Sequence, residues 1–445
     1  MKKLSILLSG LLVLLLLISG LAVVQAAPKV TITLWHCHGP WFNPIVTEVI
    51  KQYEATHPGV KVVSEYVPWD AAVQRILTAA AAGKLPDVMY ANPQWVPPLI
   101  AKGVFREIDR SILSDDLDQN PPGFNEIFYD QQDRQMLVPM FGGGDMIYYR
   151  TDFAKEAGID KFPTTWDGLI EWGKKTTKYD SSGRIIREGY RMRFPTPSGS
   201  DMHWVRMQFR QLLLAQGADI TDKSGKRATF GGPEGLKALQ FMHDLIWKYK
   251  ISLPLSKQAV PPAGSQPLLQ NTCAADFCGP WLPTVILPAL QQDPSFKDKW
   301  NCSYLTPKPI GGRDVCVVGG DGWGVSRTCK YPKEAFEFVK VLVSKDTQIK
   351  FFLSGGHPVS RNDAMLSDTV RKFVAEKMTS AVNLLDLWQN DKIRRVSKPE
   401  MVHPNNREID KALVDRFVPA LEDPHADLKA VLKAAVEDVN RIISQ

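Results

Sequence analysis

The common sequence signatures of catalysis are missing from this chain. Its 445 residues contain no GxSxG elbow, no HExxH pair and no phosphate-cradling GxxxxGK[ST] loop, and each absence weakens a catalytic reading. Gly320-Asp321-Gly322-Trp323-Gly324 gives GxGxG without the spacing of a dinucleotide site. No run of Lys or Arg accompanies the formal charge of +6, so nucleic acid is not suggested as a partner. Neither CxxC nor HxxxH accompanies His36-Cys37-His38; on a strand only its two histidines share a face, and four-coordinate zinc needs two further ligands. No metal and no other cofactor is expected. Internal repeats and low-complexity tracts are absent, and only one apolar run approaches membrane-spanning length.

That run is N-terminal. Lys2 and Lys3 precede apolar residues from Leu4 to Val24, and Val24-Gln25-Ala26 supplies the small residues a signal peptidase reads. The expectation is an exported protein cleaved after Ala26; the competing reading is an uncleaved anchor, since roughly 20 apolar residues span a bilayer. No cysteine follows the run closely, which argues against a lipid-anchored start. What remains is too long for one ordinary core and comfortable for two. Cleavage also removes two lysines, leaving a mildly basic balance.

Six cysteines, Cys37, Cys273, Cys278, Cys302, Cys316 and Cys329, enter an oxidising compartment as an even number, so disulfides are the default. If Cys273 to Cys278 is one extended strand, five steps of about 3.3 Å carry the pair beyond bridging range and onto opposite faces. Residues 301–306 and 314–318 read as extended segments around the turn-rich PKPIGGR. An antiparallel pairing centred near Pro309 would set Cys302 opposite Cys316, and a disulfide is predicted there.

The block from Ile32 to Asn92 has a clear physical order: a short apolar strand ending in a Trp/His/Cys loop, a helix, a β-branched strand, a second helix closed by Gly83, and a third strand opened by Pro86-Asp87. Strands alternating with helices predict an α/β fold. Residues 44–56 place Ile45, Val46, Val49, Ile50 and Tyr53 on one helical face, and residues 71–82 do the same with Val73, Ile76, Leu77 and Ala80. Pro163-Thr164-Thr165-Trp166-Asp167 marks a helix start, with a threonine cap and an acid in the first turn.

Twelve tryptophans are a generous supply, and Trp41, Trp69, Trp95, Trp204, Trp281 and Trp323 read as loop residues following strands. A sugar ring has an apolar C–H face and a rim of hydroxyls. Its site therefore needs a flat apolar platform beside fixed hydrogen-bonding groups. Tryptophan next to Asn, Asp, His or Arg meets that need, although a loop tryptophan also serves simply to cover the edge of a core.

The phrases ITLW, QYEATHPGVKV and above all AAAAGKLPDV resemble the first lobe of the extracellular solute-binding proteins of ATP-binding-cassette sugar importers, in the broad class of the maltose- and glycerol-3-phosphate-binding proteins. The likeness continues through LVPMFGGGDMIYYRTDF, CAADFCGPW, GGDGWGVS and GGHPVSRNDA. It implies an α/β, two-lobe periplasmic-binding-protein-like fold with a ligand cleft between lobes joined by hinge segments. Residues 27–140 with 314–356 would form the first lobe, and 141–313 with 357–445 the second. The hinges would lie near 140–144 and 309–313.

By the same resemblance His38, Trp41, Asn92, Trp95, Gly143, Asp145 and Arg361 line the cleft, with Trp281 and Trp323 in ligand-facing turns; the loop tryptophans Trp69 and Trp204, and Gly320 within the Trp323 phrase, are added as further candidate ligand-binding residues. A surface ion pair is an equal reading of Arg361. The implied function is capture of a sugar or oligosaccharide, without chemistry on it, and delivery to the membrane permease subunits of an importer by a periplasmic or extracellular monomer. A glycerol-phosphate-type ligand is the alternative within the fold, because Trp35-His36 resembles the opening of those proteins. A secreted carbohydrate-active enzyme is the alternative outside it, since paired carboxylates leave no sequence mark.

Overall fold

Alternation along Val30–His36 sets the first strand, β1: Ile32, Leu34 and His36 are buried while Thr31, Thr33 and Trp35 are not. It pairs in parallel with β2 (Val60–Tyr66) and β3 (Val88–Ala91). β12 (Gly322–Val325) and β4 (Leu137–Pro139) complete a five-stranded sheet in the order β2-β1-β3-β12-β4. Asp87 pins this sheet, accepting from both the amide and the hydroxyl of Thr33 at 2.8 Å. The computed structural model describes residues 29–445 apart from 40, 93, 94, 122, 131, 196–200 and 259–265. The expected signal segment 1–26 lies outside the described residues.

Helices cover the sheet where the spacing of apolar residues predicts them. Asn43–Thr56 buries Val46, Val49, Ile50 and Tyr53. Trp69–Ala81 begins two residues earlier than the apolar stripe suggests, which puts Trp69 on a helix rather than in a loop. Trp166–Thr176 is capped by Thr165, whose hydroxyl accepts from the Gly168 amide.

A second, antiparallel sheet runs in the order β10-β6-β9, from Trp300–Ser303, Met146–Arg150 and Ala275–Cys278. One face, with Ile147, Tyr149, Ala275 and Phe277, closes on a core shared with the helices His203–Leu214, Pro233–Trp247, Asn406–Glu422 and Leu428–Ile443. The other face, with Met146, Tyr148, Cys278, Trp300 and Cys302, packs into the same continuous core as the first sheet and the segment from Val359 to Ile393. The hairpin β7 (Lys178–Tyr179) and β8 (Ile185–Arg187) stands apart from both sheets.

Three passages of chain join the two bodies, and they lie side by side. β5 (Gly143–Gly144), β11 (Cys316–Gly319) and β13 (Ser397–Pro399) form a small sheet in the order β13-β11-β5. β5 leads from β4 of the first sheet to β6 of the second, and β11 leads back to β12. β13 connects the segment packed on the first core to helices of the second.

This arrangement corrects two expectations. Cys302 and Cys316 do not face each other: Cys302 stands opposite Tyr148 on β6 and Cys316 opposite Ser397 on β13. The expected hairpin survives only near its turn, where the Thr306 amide donates to the Val315 carbonyl at 3.1 Å, because each flank finds a better partner strand. All six cysteines are buried and free. The Pro309–Arg313 stretch is a turn against the end of the His203–Leu214 helix, with Arg313 donating to the Ala215 carbonyl at 2.8 Å. The return passage runs instead through β11.

Candidate functional site

The carboxyl ends of β1 and β3 deliver one side of the site, as open parallel sheets do. His38 is its centre. Ring centroids of Tyr90, Phe42, Phe141 and Trp41 lie 4.6, 5.0, 5.1 and 5.3 Å from its imidazole, and His357 lies at 6.2 Å. Burial first, then the neighbouring His357 and His36, hold His38 well below the usual histidine range, so the ring is neutral. Its Nε2 is buried without a hydrogen-bond partner. Trp41, half-buried, stacks on His357 with centroids 6.3 Å apart, and its carbonyl accepts from the Ser354 hydroxyl at 2.6 Å. Trp69 meets Trp95 edge-on at 4.9 Å, and Trp95 itself is buried against the Tyr90 side of the cluster.

Asn92 follows β3 and donates from Nδ2 to Asp321 Oδ1 at 2.5 Å. Asp321 closes the second passage, its amide donating to the Phe141 carbonyl at 3.1 Å and its own carbonyl accepting from the Met140 amide at 2.8 Å. Burial pushes the Asp321 carboxyl up to about 6. Gly320 beside it has no room for a side chain, since a Cβ there would sit 2.1 Å from the Phe141 carbonyl oxygen.

The second body faces this group with a turn and a helix. A Cβ on Gly143 would fall 2.5 Å from the Pro280 Cβ, so the Gly279-Pro280-Trp281 turn rests directly on the first passage. Trp281 is half-buried and packs on both cores. The Arg193 guanidinium lies 5.2 Å from the Trp281 ring centroid and 5.5 Å from that of Trp204, within cation–π range of both. Its fork is closed on the fully buried Asp276 at 3.2 and 2.7 Å. Asp145 ends the first passage, 5 % exposed, with Oδ2 unpartnered. Burial and the nearby Glu400 push its carboxyl up, against the pull of Arg206 and Arg210.

Ten of the sequence-derived residues thus fall around the passages: His38, Trp41, Trp69, Asn92, Trp95, Gly143, Asp145, Trp204, Trp281 and Gly320. Two do not join them as expected. Trp323 is a strand residue with no exposed surface, walled by Phe42 and Tyr90 at 6.2 and 5.6 Å, so its ring presents no open face in this conformation, and its Nε1 is buried without a hydrogen-bond partner. Arg361 is buried in an ion-pair network with Asp116 and with Asp363, the latter at 2.9 Å, which spends its guanidinium on structure.

Residues the sequence did not single out complete the site: Tyr90, Phe141, His357, Arg193, Arg206, Asp276, Asp321 and Glu400. A partial signal existed for Asp321, which shares a phrase with Gly320. Chemically the assembly offers indole faces, neutral imidazoles, amides and carboxylates. Its thiol is not activated, since burial and Asp321 push Cys37 up to about 12. Among the described residues no group of three or more His, Cys, Asp or Glu is arranged to hold a metal ion, and no helix is long and apolar enough to cross a membrane.

Comparison with known proteins bears on the fold and the family. The chain is 24% identical over 332 residues to the lactose-binding protein of Rhizobium radiobacter, covering 71% of each chain. It superposes on a solute-binding protein of an ABC transporter from Thermotoga lettingae, solved with α-D-tagatose, with a TM-score of 0.73 at 23% identity, over 93% of this chain and 99% of that one. It superposes on the cyclic α-maltosyl-1,6-maltose-binding protein of Arthrobacter globiformis with a TM-score of 0.75 at 20% identity, over 93% and 98%. The fold is therefore the α/β, two-lobe fold of periplasmic solute-binding proteins, with its cleft between lobes joined by the passages. The profile of the bacterial extracellular solute-binding proteins matches residues 39–349, most of the chain, and the protein belongs to that family.

Proposed function

We propose that this protein captures a saccharide between its two lobes outside the cytoplasm and presents it to the membrane subunits of an ABC importer. The observation that carries the reading is a half-buried indole on each lobe, Trp41 beside His38 and Trp281 on the turn that rests on the first passage, together with buried polar atoms near the passages that have no hydrogen-bond partner, His38 Nε2 and Asp145 Oδ2. Buried polar atoms left unpaired cost about 1–3 kcal/mol each. A ligand that supplies hydroxyls to them and C–H faces to the indoles recovers that cost.

The sequence-derived bounds, 27–140 with 314–356 and 141–313 with 357–445, shift in this reading at the third passage, because residues 359–393 pack with the first core and join the first lobe; closure about β5, β11 and β13 traps the ligand. Export by cleavage after Ala26, and action as a monomer, belong to the same proposal. Sugar ligands in the names of the lactose-, tagatose- and cyclic-maltosyl-maltose-binding relatives support the ligand class. The test is a thermal-shift screen against mono- and oligosaccharides and glycerol phosphates, because a ligand that binds only the folded state raises the melting temperature. A saccharide that raises it supports the proposal. No shift from any of them, together with hydrolysis of a chromogenic glycoside, would replace capture with catalysis.

A further inference from the structure

The core of the second lobe holds a cavity of about 30 Å³. Strands β6 and β9 bound it together with the helices Trp166–Thr176, His203–Leu214 and Pro233–Trp247. Ile147, Leu169, Leu212, Met242, Leu245 and Phe277 form its apolar wall, and each is less than a tenth exposed. Gln208, Gln211 and Thr306 stand on the same wall and are equally buried.

Gln208 spends both amide hydrogens on the Arg193 and Trp204 carbonyls at 2.6 and 2.9 Å, while its Oε1 accepts from the Arg193 amide at 3.1 Å. Its donors are used up. Thr306 gives its hydroxyl hydrogen to Gln211 Oε1. Gln211 Nε2 finds no acceptor within the protein, although the residue is only 2% exposed. Gln211 also favours the charged form of its neighbour Asp145, which requires the amide nitrogen and not the oxygen to face that carboxylate. Even with one hydrogen turned to Asp145, the other remains. A buried donor without a partner is costly, and the wall around this one is mostly apolar.

A water molecule needs roughly 10–15 Å³ of such space and two to four polar partners. The cavity has room for one or two. Gln211 Nε2 can donate to such a molecule, and the Thr306 hydroxyl oxygen and Gln208 Oε1 keep lone pairs that can accept from it. We infer that this cavity is a binding site for one or two ordered water molecules, held by Gln211 and Thr306. An apolar occupant would leave the Gln211 hydrogen unmet. Bound there, water joins the His203–Leu214 helix to the segment at Thr306, beside Asp145, whatever ligand the cleft takes.

Magnetic relaxation dispersion of the solvent water signal counts long-lived internal molecules in solution. Gln211→Met is close in shape but removes the donor, so the dispersion amplitude should fall by one or two waters relative to the unaltered protein. Thr306→Val should give the same loss, and it carries the test if Gln211→Met fails to fold. Crystals of the unaltered protein should show density at hydrogen-bonding distance, within about 3.2 Å, of Gln211 Nε2. Pressurised with xenon, they should keep that density, whereas crystals of Gln211→Met should take up xenon in its place. Xenon in the unaltered cavity would show it to be dry, and would overturn the inference. An amplitude that no folded variant lowers would overturn it as well.

Discussion

The Arg193 guanidinium lies 5.2 Å from the Trp281 ring centroid while Asp276 holds its fork from the buried side. A planar cation held through Nε and Nη2 is a rigid backing for an indole, and the Pro280 turn resting on Gly143 fixes the backbone below it. Trp281 is thereby presented with little freedom left to lose on binding.

Replacing Trp281 by Ala should remove stacking of order 1 kcal/mol or more and weaken saccharide binding roughly tenfold or worse. Calorimetric titration beside an unliganded melt checks this. Unchanged affinity in a folded variant would mean that Trp281 only covers the junction of two cores.

Asp321 predicts a pH dependence of stability with a definite sign. Burial raises its carboxyl from 3.8 to about 6 in the folded chain. The folded state therefore favours the protonated form, and this group's contribution to stability declines as pH rises from about 4 to about 6, then stays level. The total is up to roughly 3 kcal/mol. Denaturant melts across that window should show the decline, and Asp321→Asn should flatten it; equal slopes in both proteins would refute the assignment.

Arg361 should prove structural. Removing it strands Asp116, 8 % exposed, without its partner. Breaking a buried pair in this way costs about 3–5 kcal/mol. Arg361→Ala is expected to lose that much in a denaturant melt while any protein that remains folded keeps its saccharide affinity. A folded, equally stable variant with impaired binding would return Arg361 to the cleft.

The cysteines make a counting prediction. All six are buried and free, and burial pushes Cys316 and Cys329 up to about 12. The native protein should resist alkylation, and unfolding without reductant should expose six reactive thiols to mass mapping. Four would mean one disulfide and contradict the structure.

Local signals were the legible ones. The β-strand and helix order from Ile32 to Asn92, the Thr165 cap and the apolar stripe of Asn43–Thr56 all follow from spacing within a few residues. What the sequence hid was long-range. Arg193 finds Asp276 83 residues away, and Arg206 finds Asp410 204 residues away, and no local pattern marks either pair.

Trp323 was misread because a strand flanked by glycines looks like a loop. Its burial follows from β12 lying between β3 and β4 in the sheet. Glu400 gave no cue at all, since the third passage is a short polar stretch without a turn motif or an apolar run. Cys302 and Cys316 misled for a related reason: extended segments on either side of a turn suggest a hairpin, and only the tertiary fold reveals that each pairs elsewhere.

A crystal structure of the protein grown with the saccharide that most raises its melting temperature tests the central claim most directly. One saccharide is expected between the lobes, its ring faces on Trp41 and Trp281 and its polar groups on Asp145, Asp321 and His38. A saccharide bound away from the three passages, or cleaved at them, would contradict it.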